Sequence, residues 1–185
     1  EKAENAARLS VETAGAMVTG FGMGGEERHL MPQDFARAFA IAEEAGLGLT
    51  CHAGEICGPQ MVSATLDAMN VTRIGHGVRA IEDANLVARL AEEAIVLETN
   101  PGSNISLGVF PDWQAHPINR LRDAGVPVTV STDDPPYFHT DMTREYDMLH
   151  RHHGWDTEAL AAQNRVAMAA AFCDTDTKGR ITAQL

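Results

Sequence analysis

The chain has 185 residues, 44% of them hydrophobic and 22% charged, the composition of an ordinary globular protein and not of a disordered or fibrous one. At this length a chain buries roughly 70% of the surface its unfolded form exposes, so a core forms without a metal or disulfide staple. Acidic residues outnumber basic ones 26 to 14, a formal net charge of -12, which repels phosphate backbones and anionic membranes alike.

In chain order, short apolar runs alternate with longer amphipathic stretches. The apolar runs are Met17–Met23, Leu47–Cys51, Arg73–Gly77, Ala94–Glu98 and Val126–Ser131. Each lacks strict polar alternation, which is how strands covered on both faces read. Between them, helices are predicted over Pro32–Ala45, Pro59–Met69, Glu82–Ala91 and His116–Ala124. Pro32 suits a first helical turn, and Gly46 and Gly125 suit stops. The tail predicts helices over Met142–His153, Thr157–Phe172 and near Thr177–Leu185. No linker, repeat or low-complexity segment interrupts residues 1–185, which read as one domain. Strand–helix alternation argues a parallel sheet with helices on its faces. The pattern alone leaves open a doubly wound sheet or part of a closed barrel.

The arginines are scattered and the only lysines are Lys2 and Lys178, so no basic patch exists for nucleic acid. Cys51, Cys57 and Cys173 form no disulfide framework. No apolar run is long enough for a membrane span, and no secretory signal is visible. A cytoplasmic protein is expected. The chain opens Glu-Lys-Ala-Glu without an initiator Met, as a processed product or a piece of a longer protein would.

Ionisable residues cluster at the ends of four apolar runs: Gly24-Gly25-Glu26-Glu27, His52-Ala53-Gly54-Glu55, Gly75-His76-Gly77 and Asp133-Asp134-Pro135. In a parallel α/β fold the carboxyl ends of the strands share one face, which holds the active site. His52, Glu55, His76, Asp133 and Asp134 are therefore expected to converge. Two histidines with two carboxylates suit a divalent metal, zinc first among candidates. A catalytic zinc lowers the pKa of its water to ~7; a histidine then serves as base and a glutamate as proton donor. Successive side chains leave a strand in opposite directions, so Asp133 and Asp134 divide the work between metal and substrate.

The motifs HAGE (His52–Glu55), RIGHG (Arg73–Gly77) and STDDP (Ser131–Pro135), in this order and spacing, resemble the adenosine deaminase family of metal-dependent amidohydrolases. Gly24-Gly25-Glu26-Glu27 and Pro101-Gly102-Ser103-Asn104 match as well, and the resemblance runs from about Met17 to the end, closest to bacterial members. It implies the C-terminal five strand–helix units of a TIM (β/α)8 barrel, with the N-terminal part absent. It also implies hydrolytic deamination of a 6-aminopurine nucleoside, adenosine or deoxyadenosine. Adenine, a modified aminopurine, or an inactive truncated remnant are the alternatives. By the resemblance, His52 and Asp133 are zinc ligands, Glu55 protonates the purine ring, and His76 orients the attacking water and takes its proton. Asp134 and the backbone amide of Gly25 hold the purine. The family's His-x-His pair, which supplies two further zinc ligands, has no counterpart among these residues.

Other residues have plainer readings. Cys51 reads as a buried small hydrophobe, since alternation turns it away from His52. Ser103 and Asn104 fit substrate contact or ordinary turn chemistry equally. Phe110 and Trp113 fit a lid or the core. His116 reads as a helix start and His139 as a loop residue, while His150-Arg151-His152-His153 reads as a solvated helix face. Ser131 has no glycine-flanked elbow and is no nucleophile.

Overall fold

The computed structural model describes residues 1–15, 17–29 and 31–185. It opens with helix α1 (Lys2–Glu12) and strand β1 (Gly20–Met23). A 3₁₀ turn (Pro32–Phe35) leads into α2 (Ala36–Glu44), followed by β2 (Gly48–Ala53) and α3 (Pro59–Ala68). Next come β3 (Arg73–His76), a second 3₁₀ turn (Val78–Glu82) and α4 (Ala84–Glu92). Then follow β4 (Val96–Thr99), α5 (Pro101–Ser106), α6 (Ile118–Asp123) and β5 (Val128–Val130). The chain closes with α7 (Pro135–Phe138), α8 (Met142–His153), α9 (Thr157–Ala170) and α10 (Thr175–Thr182).

All five strands are parallel and lie in the order β1-β2-β3-β4-β5. A doubly wound sheet reverses its strand order at a switch point; an unbroken sequential order is the winding of a (β/α)8 barrel. The two alternatives left open by the hydrophobic pattern are thereby separated: the sheet is five consecutive units of a TIM-type barrel.

Alternation in each strand divides the sheet into two faces. Leu49, Cys51, Ala53, Ile74, Leu97, Val128 and Val130 are buried in one continuous core with Phe39, Val62, Leu90 and Leu121 from the helices and Trp155 from the connection between α8 and α9. Cys51 is fully buried there, and burial pushes its thiol up to about 12, so it is an inert core residue as its position predicts. The opposite, concave face carries Thr50, His52, Arg73, Gly75, Glu98 and Thr129, aligned by the pairings Thr50↔Arg73, His52↔Gly75, Gly75↔Glu98 and Glu98↔Thr129.

The concave face is stitched together below the strand ends. Thr50 Oγ1 donates to Glu98 Oε2 at 2.7 Å, and Arg73 Nε lies 2.8 Å from Glu98 Oε1. Arg73 also donates to the carbonyl of Ala170 at 3.1 Å, and its guanidinium carbon stands 3.5 Å from the centroid of the Phe172 ring. Phe172 fills the space that the absent side chains of Gly20 and Gly48 leave at the start of β1 and β2.

Candidate active site

Each cluster of ionisable residues sits where a strand ends. β2 delivers His52 and, past its last residue, Glu55; β3 ends on His76; β5 leads to Asp133. His76 and Asp133 have φ of 61° and 58°, left-handed values that cost roughly 1–2 kcal/mol each for L-residues. At His76, the last residue of β3, the conformation breaks the strand alternation; at Asp133 it turns the chain beyond the end of β5.

The result is a tight cluster. His76 is buried, with Nδ1 3.2 Å from Glu55 Oε1 and Nε2 3.7 Å from Asp133 Oδ2. Ligand-type atoms of Glu55, His76 and Asp133 all lie within 4.8 Å of one another. The His52 ring stands edge-on to His76, with centroids 4.9 Å apart. His52 occupies the space above Gly75, where any Cβ would collide with the imidazole. His52 and Asp133 line one hollow of about 380 Å³ with Gly75, Glu98, Asn100 and Ser131. Neither ring nitrogen of His52 is hydrogen-bonded to protein among the described residues.

Gly25 sits across a second cavity, of about 210 Å³, lined by Met23, Gly24, Glu26, Glu27, Pro32, Phe35, Met61 and His52. Its φ of 137° lies in the region that glycine alone adopts freely. Asp134 is not gathered into the cluster. It is exposed at the start of α7, and its side chain makes no capping hydrogen bond.

Burial sets the protonation of the cluster. It pushes the Glu55 carboxyl up to about 7, with the nearby charges of Asp133 and Glu27 adding to the rise. His76 is pushed down to about 4, first by burial and then by His52, against the pull of Asp133. At neutral pH the pair therefore comprises an imidazole able to accept a proton and a carboxyl that still holds one for part of the population.

Three polar residues that sequence reasoning left undecided or unassigned hold this cluster in place. Ser103 and Asn104 are not turn residues; they are buried in α5. Ser103 Oγ donates to Asp133 Oδ2 at 2.7 Å, and Asn104 Nδ2 reaches Glu55 Oε1 at 3.0 Å and His76 Nδ1 at 3.2 Å. Asn100 Nδ2 lies 3.3 Å from the same His76 nitrogen. Behind them, His116 Nε2 meets Asn104 Oδ1 at 3.2 Å. The Pro101–Asn104 motif pointed to this segment, but nothing in the sequence pairs Asn104 with His116. A fourth residue, Glu27, accepts hydrogen bonds from the backbone of Ile56 and Cys57, both at 2.7 Å, and from Glu55 at 3.4 Å.

Of the plainer readings, one is decided between its alternatives and one holds only in part. Trp113 is in the core, not a lid, and Phe110 packs edge-on to His116 with centroids 5.2 Å apart. The end of α8 divides: His150 and Arg151 are exposed, as a solvated face would be, but the last two histidines are not. His152 stacks on Trp113, and both His152 and His153 are half-buried.

The donor set fits a divalent ion. His52 offers free ring nitrogens and Asp133 a carboxylate on the wall of one hollow, the imidazole and carboxylate ligands that zinc takes. Glu55 is less suited to be a ligand than an acid, since its raised pKa opposes the ionised form a ligand needs.

The sequence and the fold have counterparts among known proteins. An adenine deaminase of Rhizobium leguminosarum bv. trifolii is 50% identical over 185 residues, which is all of this chain and 58% of that protein. Among solved structures, an adenine deaminase from Arthrobacter aurescens superposes with a TM-score of 0.88 at 28% identity, covering 97% of this chain and 56% of that one. A cog1816 amidohydrolase from Burkhoderia ambifaria with bound Zn gives a TM-score of 0.89 at 27% identity, covering 98% and 51%. The chain thus spans a little over half the length of the relatives it matches. The sequence model described as adenosine deaminase matches residues 1–185, and with the strand-end cluster in place the chain belongs to the adenosine deaminase family.

Proposed function

We propose that the protein of which these residues form part deaminates a 6-aminopurine hydrolytically, with free adenine as the substrate and hypoxanthine and ammonia as products. The observation that carries the chemistry is the Glu55–His76 pair, a carboxyl raised to about 7 beside an imidazole kept neutral, held 3.2 Å apart opposite Asp133.

In this reading Glu55 donates its proton to the ring nitrogen beside the amine-bearing carbon, which makes that carbon electrophilic. Water adds to the carbon, and His76 takes the proton that the water loses. The proton held by His76 passes to the amine, the C–N bond breaks and ammonia departs; the hydroxyl proton returns to Glu55, leaving the 6-oxo purine. The backbone N–H of Gly25 orients the ring. His52 and Asp133 would hold zinc, one ion per site, with the remaining ligands supplied from outside these residues. Bound there, the ion supplies a water whose pKa is lowered to ~7.

Adenine is favoured over a nucleoside or nucleotide for two reasons. Among the described residues the cavity beside Gly25 offers no free cation for a phosphate: its charged lining residues are Glu26 and Glu27, and the neighbouring Arg28 is paired with Glu26 at 2.7 Å. The 50%-identical relative is named an adenine deaminase.

Loss of ultraviolet absorbance separates the alternatives when the whole gene product is given adenine, adenosine and AMP in turn. The expected order of kcat/KM is adenine first; adenosine turned over faster than adenine would overturn the substrate assignment. Dialysis against a chelator should remove activity, and zinc should restore it. Glu55→Gln is expected to lower kcat by roughly 10²–10⁴-fold with zinc content unchanged; loss of zinc instead would make Glu55 a ligand.

A further inference from the structure

The loop that carries Glu55 has no secondary structure of its own to fix it. β2 ends at Ala53 and α3 begins at Pro59, so the backbone N–H groups of Glu55, Ile56 and Cys57 have no ladder or helix partner. Buried or half-buried donors need an acceptor. All three find it in one side chain, the carboxylate of Glu27, at 3.4, 2.7 and 2.7 Å. Successive N–H groups converging on one anion form a nest, a geometry that favours negative charge. From the other side, Arg79 Nη1 donates to the carbonyl of Ile56 at 2.5 Å and is itself paired with Glu82. The loop is clamped between one acceptor and one donor, neither from its own segment.

Glu27 also lies two residues beyond Gly25, and both line the cavity of about 210 Å³ that His52 borders. One side chain therefore joins the turn after β1 to the loop after β2. We propose that Glu27 is a positioning residue: through three backbone N–H groups it fixes the Glu55 loop against the Gly25 turn, setting the distance between proton donor and ring-binding amide without touching the reacting atoms. The proposal rests on the role assigned to Glu55 above.

The test combines steady-state kinetics on adenine with amide hydrogen exchange of the segment spanning residues 54–58, in the zinc-loaded full-length protein. Glu27→Ala should speed exchange at Glu55, Ile56 and Cys57 and lower kcat by roughly tenfold to a hundredfold, the scale of an ångström-sized misplacement, while KM moves less. Glu27→Gln keeps an acceptor oxygen but not the charge, and should fall between wild type and Glu27→Ala in both readouts. Unchanged exchange in either variant overturns the proposal. So does a rise in KM with kcat intact, which would make Glu27 a direct substrate contact. Should Glu27→Ala not fold, Glu27→Gln carries the test alone. Glu55→Gln is the control that separates the two ideas: if it stays active, the reading of Glu55 fails, whereas faster exchange in the Glu27 variants still reports on the clamp.

Discussion

His116 shows how a residue remote from the reacting groups decides their hydrogen bonds. Its Nδ1 accepts from the backbone N–H of Ile118 at 3.3 Å, so its proton resides on Nε2 and is donated to Asn104 Oδ1. That fixes the Asn104 amide with its N–H groups toward Glu55 and His76. Burial keeps His116 neutral and pushes its pKa down from 6.5 to about 3. The unfolded chain takes up a proton across that window that the folded one refuses, so stability is lost as pH falls from about 6.5 toward 3, by up to about 1.4 kcal/mol per pH unit. Glu55 acts in the opposite sense: its folded pKa is raised from 4.5 to about 7, so its contribution is lost as pH rises through that range. Chemical denaturation at pH 4, 5 and 7 should show the acid slope flattened in His116→Gln. His116→Leu should cost about 1–3 kcal/mol at pH 7, because Asn104 Oδ1 is left buried without a donor. Gly75→Ala tests a second contact at this scale. The added methyl displaces the His52 ring, and elemental analysis of the full-length protein should find less zinc than in wild type.

At the scale of elements, α8 matches its sequence-based span residue for residue, since Asp141 caps its first turn and Gly154 stops it. α5 was not legible in the same way. Pro-Gly-Ser-Asn is turn composition, and what makes it helical lies 43 residues on: buried Glu145 accepts from the Gly102 backbone at 3.0 Å and from Thr140 Oγ1 at 2.6 Å. Such a partner cannot be inferred from local pattern, and the same holds for Glu27 and His116, whose roles consist wholly of tertiary contacts. α1 was missed for another reason: its inward stripe is Ala3, Ala7 and Val11, small side chains of which only Ala7 is fully buried, so the apolar signal is weak. The strand-end residues were legible because they combine a motif with a topological position. Glu145→Ala is expected to destabilise the protein by about 1–3 kcal/mol and to loosen the Ser103–Asp133 contact, which calorimetry and zinc affinity would register.

For the molecule as a whole, the sequential strand order leaves β1 and β5 each paired on one side only among the described residues. Unpaired strand edges invite pairing between chains. The 185-residue chain expressed alone should therefore self-associate, and light scattering behind a sizing column would detect it; a clean monomer would show the edges to be covered. No helix among the described residues is long and apolar enough to cross a membrane. The placement of Phe172 against Gly20 and Gly48 bears on how the protein is made. A ribosome delivers β1 and β2 before Phe172, so both strands must wait, with their lower end bare, until a residue well over a hundred positions further on has emerged. Synthesis, for this sheet, is finished from the opposite end to the one at which it starts.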